Sequence, residues 1–120
     1  QLLHEDAALC FSCHVEWEKQ FRKANIHFPA AQGRCLSCHQ SHVSIEKGLL
    51  KKKTSGLCAE CHNLDEEKFK QAHFNFDLEN VVCIKCHDPH SSEKKDYSYQ
   101  FSHPPYESRD CSICHEGKVK

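Results

Sequence analysis

The sequence predicts a mostly irregular fold with a few short α-helices and no significant sheet, wrapped closely around bound groups. Three observations predict it. The chain has 120 residues, 38% of them hydrophobic and none of them methionine, so its own side chains build only a thin core. Ten cysteines recur in five identical short words spread evenly along the chain. Pro29, Pro89, Pro104 and Pro105 fall where turns are expected and forbid long helices there. By length the chain, residues 1–120, reads as a single domain.

The cysteines are Cys10 and Cys13, Cys35 and Cys38, Cys58 and Cys61, Cys83 and Cys86, and Cys111 and Cys114. Each pair is spaced Cys-x-x-Cys and is followed directly by a histidine: His14, His39, His62, His87 and His115. No cysteine is left over. This word is the signature of covalent haem c attachment. The two thiols join the haem edge as thioethers, and the adjacent histidine reaches the iron as proximal ligand. Structural zinc sites use such pairs two to a metal, but five pairs do not divide that way and the fixed histidine has no role. A disulfide scaffold suits the cysteine count but not five repeats of one spacing with one following residue. Thioredoxin-like pairs need a strand–helix context that is missing at all five words. The expected cofactor is therefore haem c, five groups covalently bound, and the expected fold is a multihaem cytochrome c whose closely packed macrocycles stand in for a core. Phe21, Ile26, Phe28, Phe69, Phe74, Phe76 and Phe101 are expected on haem faces and edges rather than on each other.

The chain repeats itself: the step from Cys10 to Cys58 equals the step from Cys35 to Cys83. Two two-haem modules follow, residues 2–48 and 49–96, and a one-haem unit, 97–120, that matches the second half of a module. Helices are expected over about 10–25 and 58–73, after the first word of each module; His14, Trp17 and Phe21 share the face of the first. The charged runs around Lys51–Lys53 and Lys94–Lys95 read as solvated connectors.

Six histidines remain: His4, His27, His42, His73, His90 and His103. His27 stands as far ahead of Cys35 as His103 stands ahead of Cys111, and His73 lies slightly farther ahead of Cys83. His42 and His90 each come three positions after a proximal histidine. These five match the five irons in number, and no methionine competes, so they are the expected distal ligands. So short a stretch of chain does not wrap round a macrocycle, so His42 and His90 are expected to reach neighbouring haems. His4 stands outside the repeat. It is either a surface residue or a ligand to a nearby iron.

CLSCHQSH, CIKCHDPH, the upstream HFP of His27–Pro29, the HPP of His103–Pro105, and LLKKKTSGLCAECH resemble the doubled CxxCH family of multihaem cytochromes. More loosely the chain is similar to periplasmic pentahaem electron donors of respiratory reductases and to subunits of extracellular cytochrome filaments. The resemblance implies bis-histidine, low-spin haems, with His27, His42, His73, His90 and His103 as distal ligands. The last unit departs from the pattern, reading EGKVK after His115.

A filled iron exchanges one electron and takes no substrate, so the expectation is an electron carrier and not an enzyme. The alternatives are a polymerising subunit of an extracellular wire and a small reductase with one open iron. Expected partners are redox proteins or copies of the chain itself, with no nucleic acid. Lys51, Lys52, Lys53, Lys94 and Lys95 modulate propionate fields or simply solubilise. Haem c is attached outside the cytoplasm, which places the protein in the periplasm or beyond. No apolar run approaches the length of a membrane span, about 18 residues. No basic, apolar leader stands at the N-terminus, and Gln1 reads as the start of a processed or excised chain. Denaturing mass spectrometry of protein matured in a competent host is expected to give the polypeptide plus five haems. Four or fewer overturns the reading of all five words.

Overall fold

The computed structural model describes residues 6–110, 113 and 114. Its regular structure is six short helices and one pair of two-residue strands: α1 Asp6–Phe11, α2 Val15–Gln20, β1 Asn25–Ile26, α3 Phe28–Ala31, α4 Thr54–Cys58, α5 Glu67–Ala72, β2 Ser91–Ser92 and α6 Pro104–Glu107. Single 3-10 turns lie at Cys35–Ser37, Lys47–Leu49 and Cys83–Lys85. The expected fold class holds: short helices, long irregular connections and no closed sheet. The strands pair antiparallel, Asn25 with Ser92 and Ile26 with Ser91.

Both expected long helices are shorter than the sequence suggested. The first is cut at its haem word. Ser12 turns its hydroxyl back onto the Leu9 carbonyl at 2.6 Å, and His14 leaves helical geometry at φ −97° and ψ 52°. The second is interrupted between Cys58 and Glu67, where Asp65 N–H donates to the Asn63 side chain at 3.1 Å. Such a local side-chain bond offers the backbone an alternative to helix.

α3 and α6 are built alike. Each opens with proline in its first turn, where a missing N–H costs nothing. Each closes on a left-handed residue, Gly33 at φ 69° and Arg109 at φ 60°. The residue after it bonds back over the last turn, Arg34 N–H to Pro29 O at 2.8 Å and Asp110 N–H to Pro105 O at 3.1 Å.

The chain forms two compact units. One draws its described residues from Gln1–Lys52 and Ile84–Gln100, the other from Lys53–Cys83 and Phe101–Lys120. Among the described residues no hydrophobic side chain is buried. What is buried is small and polar: Thr54, Ser55, Ser91 and Ser92. Each is hydrogen-bonded, as burial demands. In the first unit, Ser91 donates to Gln20 O at 2.9 Å and Ser92 to Ser98 O at 2.7 Å. In the second, Ser55 donates to Glu79 O, and Thr54 accepts from Cys83 N–H at 3.3 Å. Large apolar residues lie open instead, Phe28 at 61%, Phe101 at 89% and Ile45 at 100%. This polypeptide does not close a core from its own side chains.

Ser91, 1% exposed, therefore tests the polar framework. Ser91→Val leaves the Gln20 carbonyl without its partner and is expected to cost about 1–3 kcal/mol in denaturant unfolding of the haem-loaded protein. Lys95→Ala, at an exposed position, is expected to change stability by less than about 0.5 kcal/mol.

Candidate haem-binding site

The first three haem words share one local geometry. In each, the second cysteine N–H bonds to the first cysteine carbonyl, at 3.2 Å for Cys13, 3.2 Å for Cys38 and 3.1 Å for Cys61. The following histidine N–H bonds to the same carbonyl, at 2.9 Å for His14, 3.0 Å for His39 and 2.9 Å for His62. One helical turn thus carries the whole word, and positions i, i+3 and i+4 share its face. Both sulfurs and the imidazole are offered to one group. The fourth word begins as the turn Cys83–Lys85 and ends at His87, which bridges to Ser98. His4, Cys111 and His115 lie outside the described residues; Cys114 is exposed.

The stretches that follow His39 and His87 match at the level of single hydrogen bonds. His39 Nδ1 meets the Gly48 carbonyl at 2.7 Å, and His87 Nδ1 meets the Asp96 carbonyl at 2.7 Å. His39 bridges to Leu50 and His87 to Ser98. Gln40 N–H bonds to Leu49 O at 2.6 Å, Asp88 N–H to Tyr97 O at 2.7 Å. Ser44 donates to Leu50 O at 2.5 Å, Ser92 to Ser98 O at 2.7 Å. Leu49 at φ 56° and Tyr97 at φ 61° take the same left-handed backbone. Each loop turns back so that one of its carbonyls clamps the histidine that ends the word.

Two further histidines are clamped in the same way. His27 Nδ1 meets Pro89 O at 2.8 Å, and His73 Nδ1 meets Phe69 O at 2.8 Å. A carbonyl only accepts, so Nδ1 carries the proton and Nε2 keeps the lone pair. That is the tautomer and orientation of a metal-ligating imidazole.

The remaining candidates differ. His27 and His103 precede α3 and α6 with matching backbones, φ −61°, ψ 134° and φ −68°, ψ 134°. His73 instead ends α5, so its longer spacing from the next word marks a different local structure. His42 is exposed, with Nδ1 3.4 Å from Ser41 Oγ. His90 is half-buried. Phe21 stacks on it at 4.5 Å, Trp17 meets it edge-on at 5.8 Å, and the His39 ring lies 6.0 Å away. Burial pushes the His90 imidazole below its ordinary pKa; Asp88 opposes this, and His39 and His27 add to it. Asp96 accepts the Ser98 N–H at 3.0 Å, which holds its carboxylate pKa low. The turn that clamps His87 is therefore firmest where Asp96 is ionised, and loosens as pH falls through that lowered pKa.

Among the aromatic candidates, Phe21 and Phe69 stack on histidines, Phe69 on His73 at 4.6 Å. Phe28 and Phe74 carry Arg34 and Arg109 over their rings, at 5.5 and 5.9 Å. Phe21 also touches Phe11 and Trp17, at 5.8 and 6.0 Å. Ile26 is 40% exposed. Phe76 lines a cleft of about 870 Å³ in the second unit, with Cys61, His62, Leu64, Lys70 and Leu78. That volume lies within the roughly 300–1,000 Å³ of cofactor sites, and the cleft opens beside a haem word. Among the described residues, no group of three or more His, Cys, Asp or Glu side chains is placed to hold a bare metal ion. Haem iron brings four porphyrin nitrogens and needs only two axial ligands, so a word of two thiols and one imidazole suits haem. The clamping carbonyls of Gly48, Asp96, Pro89 and Phe69 were missing from the sequence reading. They are main-chain groups, and only the equal spacing of His39–Gly48 and His87–Asp96 hints at them.

No curated protein and no solved structure matches this chain. Residues 27–67, about a third of its length, match the family described as the doubled CXXCH motif. The matched segment begins at His27 and contains the words Cys35–His39 and Cys58–His62. This segment is similar to the doubled CXXCH motif, which is consistent with a c-type cytochrome that binds haem covalently through these words and transfers electrons.

Proposed function

We propose that the chain holds five haem c groups and passes single electrons along them. His14, His39, His62, His87 and His115 are the proximal ligands; His27, His42, His73, His90 and His103 are the distal ones. The observation that carries this is the set of carbonyl clamps on His27, His39, His73 and His87. They prepare Nε2 in two members of each ligand class. When bound, haem supplies a one-electron couple. The chain supplies thiols at fixed spacing, imidazoles in the ligating tautomer, and cover that excludes water. Filled irons leave no substrate position, so the protein is a carrier rather than an enzyme. Its site of maturation is outside the cytoplasm, in the periplasm or beyond. Among the described residues no helix is long and apolar enough to cross a membrane.

One observation favours a second reading, a subunit of an extracellular wire. Exposed His42 is followed by Val43, 81% exposed, and Ile45, 100% exposed, a strip suited to a second copy. In that case the unmodified protein sediments as large particles and His42→Ala as monomers.

The electronic test is the ferric spectrum at neutral pH. Wholly low-spin haem without a methionine–iron band is expected. A stoichiometric high-spin haem removes one histidine from the distal set and brings back the reductase alternative.

A further inference from the structure

The His39 and His90 rings stand 6.0 Å apart with their planes within 12°. A metal–imidazole nitrogen bond is about 2 Å, and a ring centre lies about 1 Å behind its nitrogen, so two imidazoles on opposite sides of one metal stand about 6 Å apart. The observed separation matches that span.

Both rings are held. His39 is fixed through Nδ1 on Gly48 O at 2.7 Å and through its bridge to Leu50. His90 is fixed on several sides. Its main-chain N–H donates to Asp88 Oδ1 at 2.9 Å, and its carbonyl accepts the His27 main-chain N–H at 2.9 Å. Its Nδ1 lies 3.6 Å from Asp88 Oδ1. Phe21 covers one face. The residues that follow, Ser91 and Ser92, are buried and paired with Asn25 and Ile26. An ordinary offset stack of two rings accounts for the distance alone. His39 Nδ1 is committed to the Gly48 carbonyl and His90 Nδ1 lies on the Asp88 side of its ring, so the nitrogen each ring has left to offer a metal is Nε2.

We propose that His90 is the distal ligand of the haem attached at Cys35 and Cys38, opposite His39. This rests on the reading of that word as a haem site and assigns its second ligand. The ligand then comes from the other module, and the β1–β2 pairing positions it. His42, so close to His39 along the chain, has no part in this iron.

The test uses the haem-loaded protein. His90→Ala is expected to retain five haems by mass while one haem in five, about a fifth of the ferric iron, becomes high-spin; added imidazole restores it. His90→Met, which keeps a ligand, is expected to give one haem a methionine–iron band and a raised potential, and it decides the matter if His90→Ala fails to mature. In the Cys35→Ser/Cys38→Ser background, which removes this haem, His90→Ala is expected to produce no new high-spin iron. Unchanged low-spin spectra in both His90 variants overturn the proposal, as does a high-spin haem that persists in the serine background. Fewer than five haems in the unmodified protein is a different failure, that of the underlying reading.

Discussion

An imidazole whose Nδ1 is held by a backbone carbonyl has one nitrogen left to offer, and one direction in which to offer it. That constraint organises this molecule. The hairpin-like loops Gln40–Leu50 and Asp88–Ser98 close onto their own haem words, and what they deliver is a carbonyl at His39 and at His87. Pro89, set by the second loop, does the same for His27. The left-handed residues Leu49 and Tyr97, unfavourable by about 1 kcal/mol or more for a branched or bulky side chain, recur at the same place in both loops. The bonds made around them, not propensity, hold the chain there.

The second governing fact is the lack of a closed apolar core. Fully burying a phenylalanine or isoleucine contributes about 1.5–3 kcal/mol, and among the described residues none is buried. Surface brought by a bound group would supply the stabilisation that these side chains forgo. Folding and cofactor attachment are then one process, as they are in small metal-dependent domains. The buried serines and Thr54 fix the course of the chain while the apolar side chains stay turned outward.

Much of this was legible in the residues. Five identical words give the cofactor chemistry, the prolines and the thin apolar content give short helices, and the internal repeat predicts the matching loops. Helix lengths were not legible, because Ser12 and Asn63 make local side-chain bonds, in the interruptions of the helices, that compete with a sound helical pattern. His73 counted as an equivalent of His27 by spacing, yet it ends a helix that has no counterpart before His27. The setting of His90 was invisible for another reason. Phe21, Trp17 and His39 lie far from it in sequence, and only tertiary structure gathers them.

The two matching clamps differ at the clamping residue itself. In the first loop it is Gly48, with no side chain; in the second it is Asp96, whose carboxylate is kept ionised by the Ser98 N–H and lies within electrostatic reach of His87. The two imidazoles therefore face unequal fields. A fixed negative charge favours the higher oxidation state of a metal held at His87, while solvent around the exposed carboxylate keeps the difference small. Were metals held at both positions, this difference between the loops would let electrons rest more readily on the glycine side.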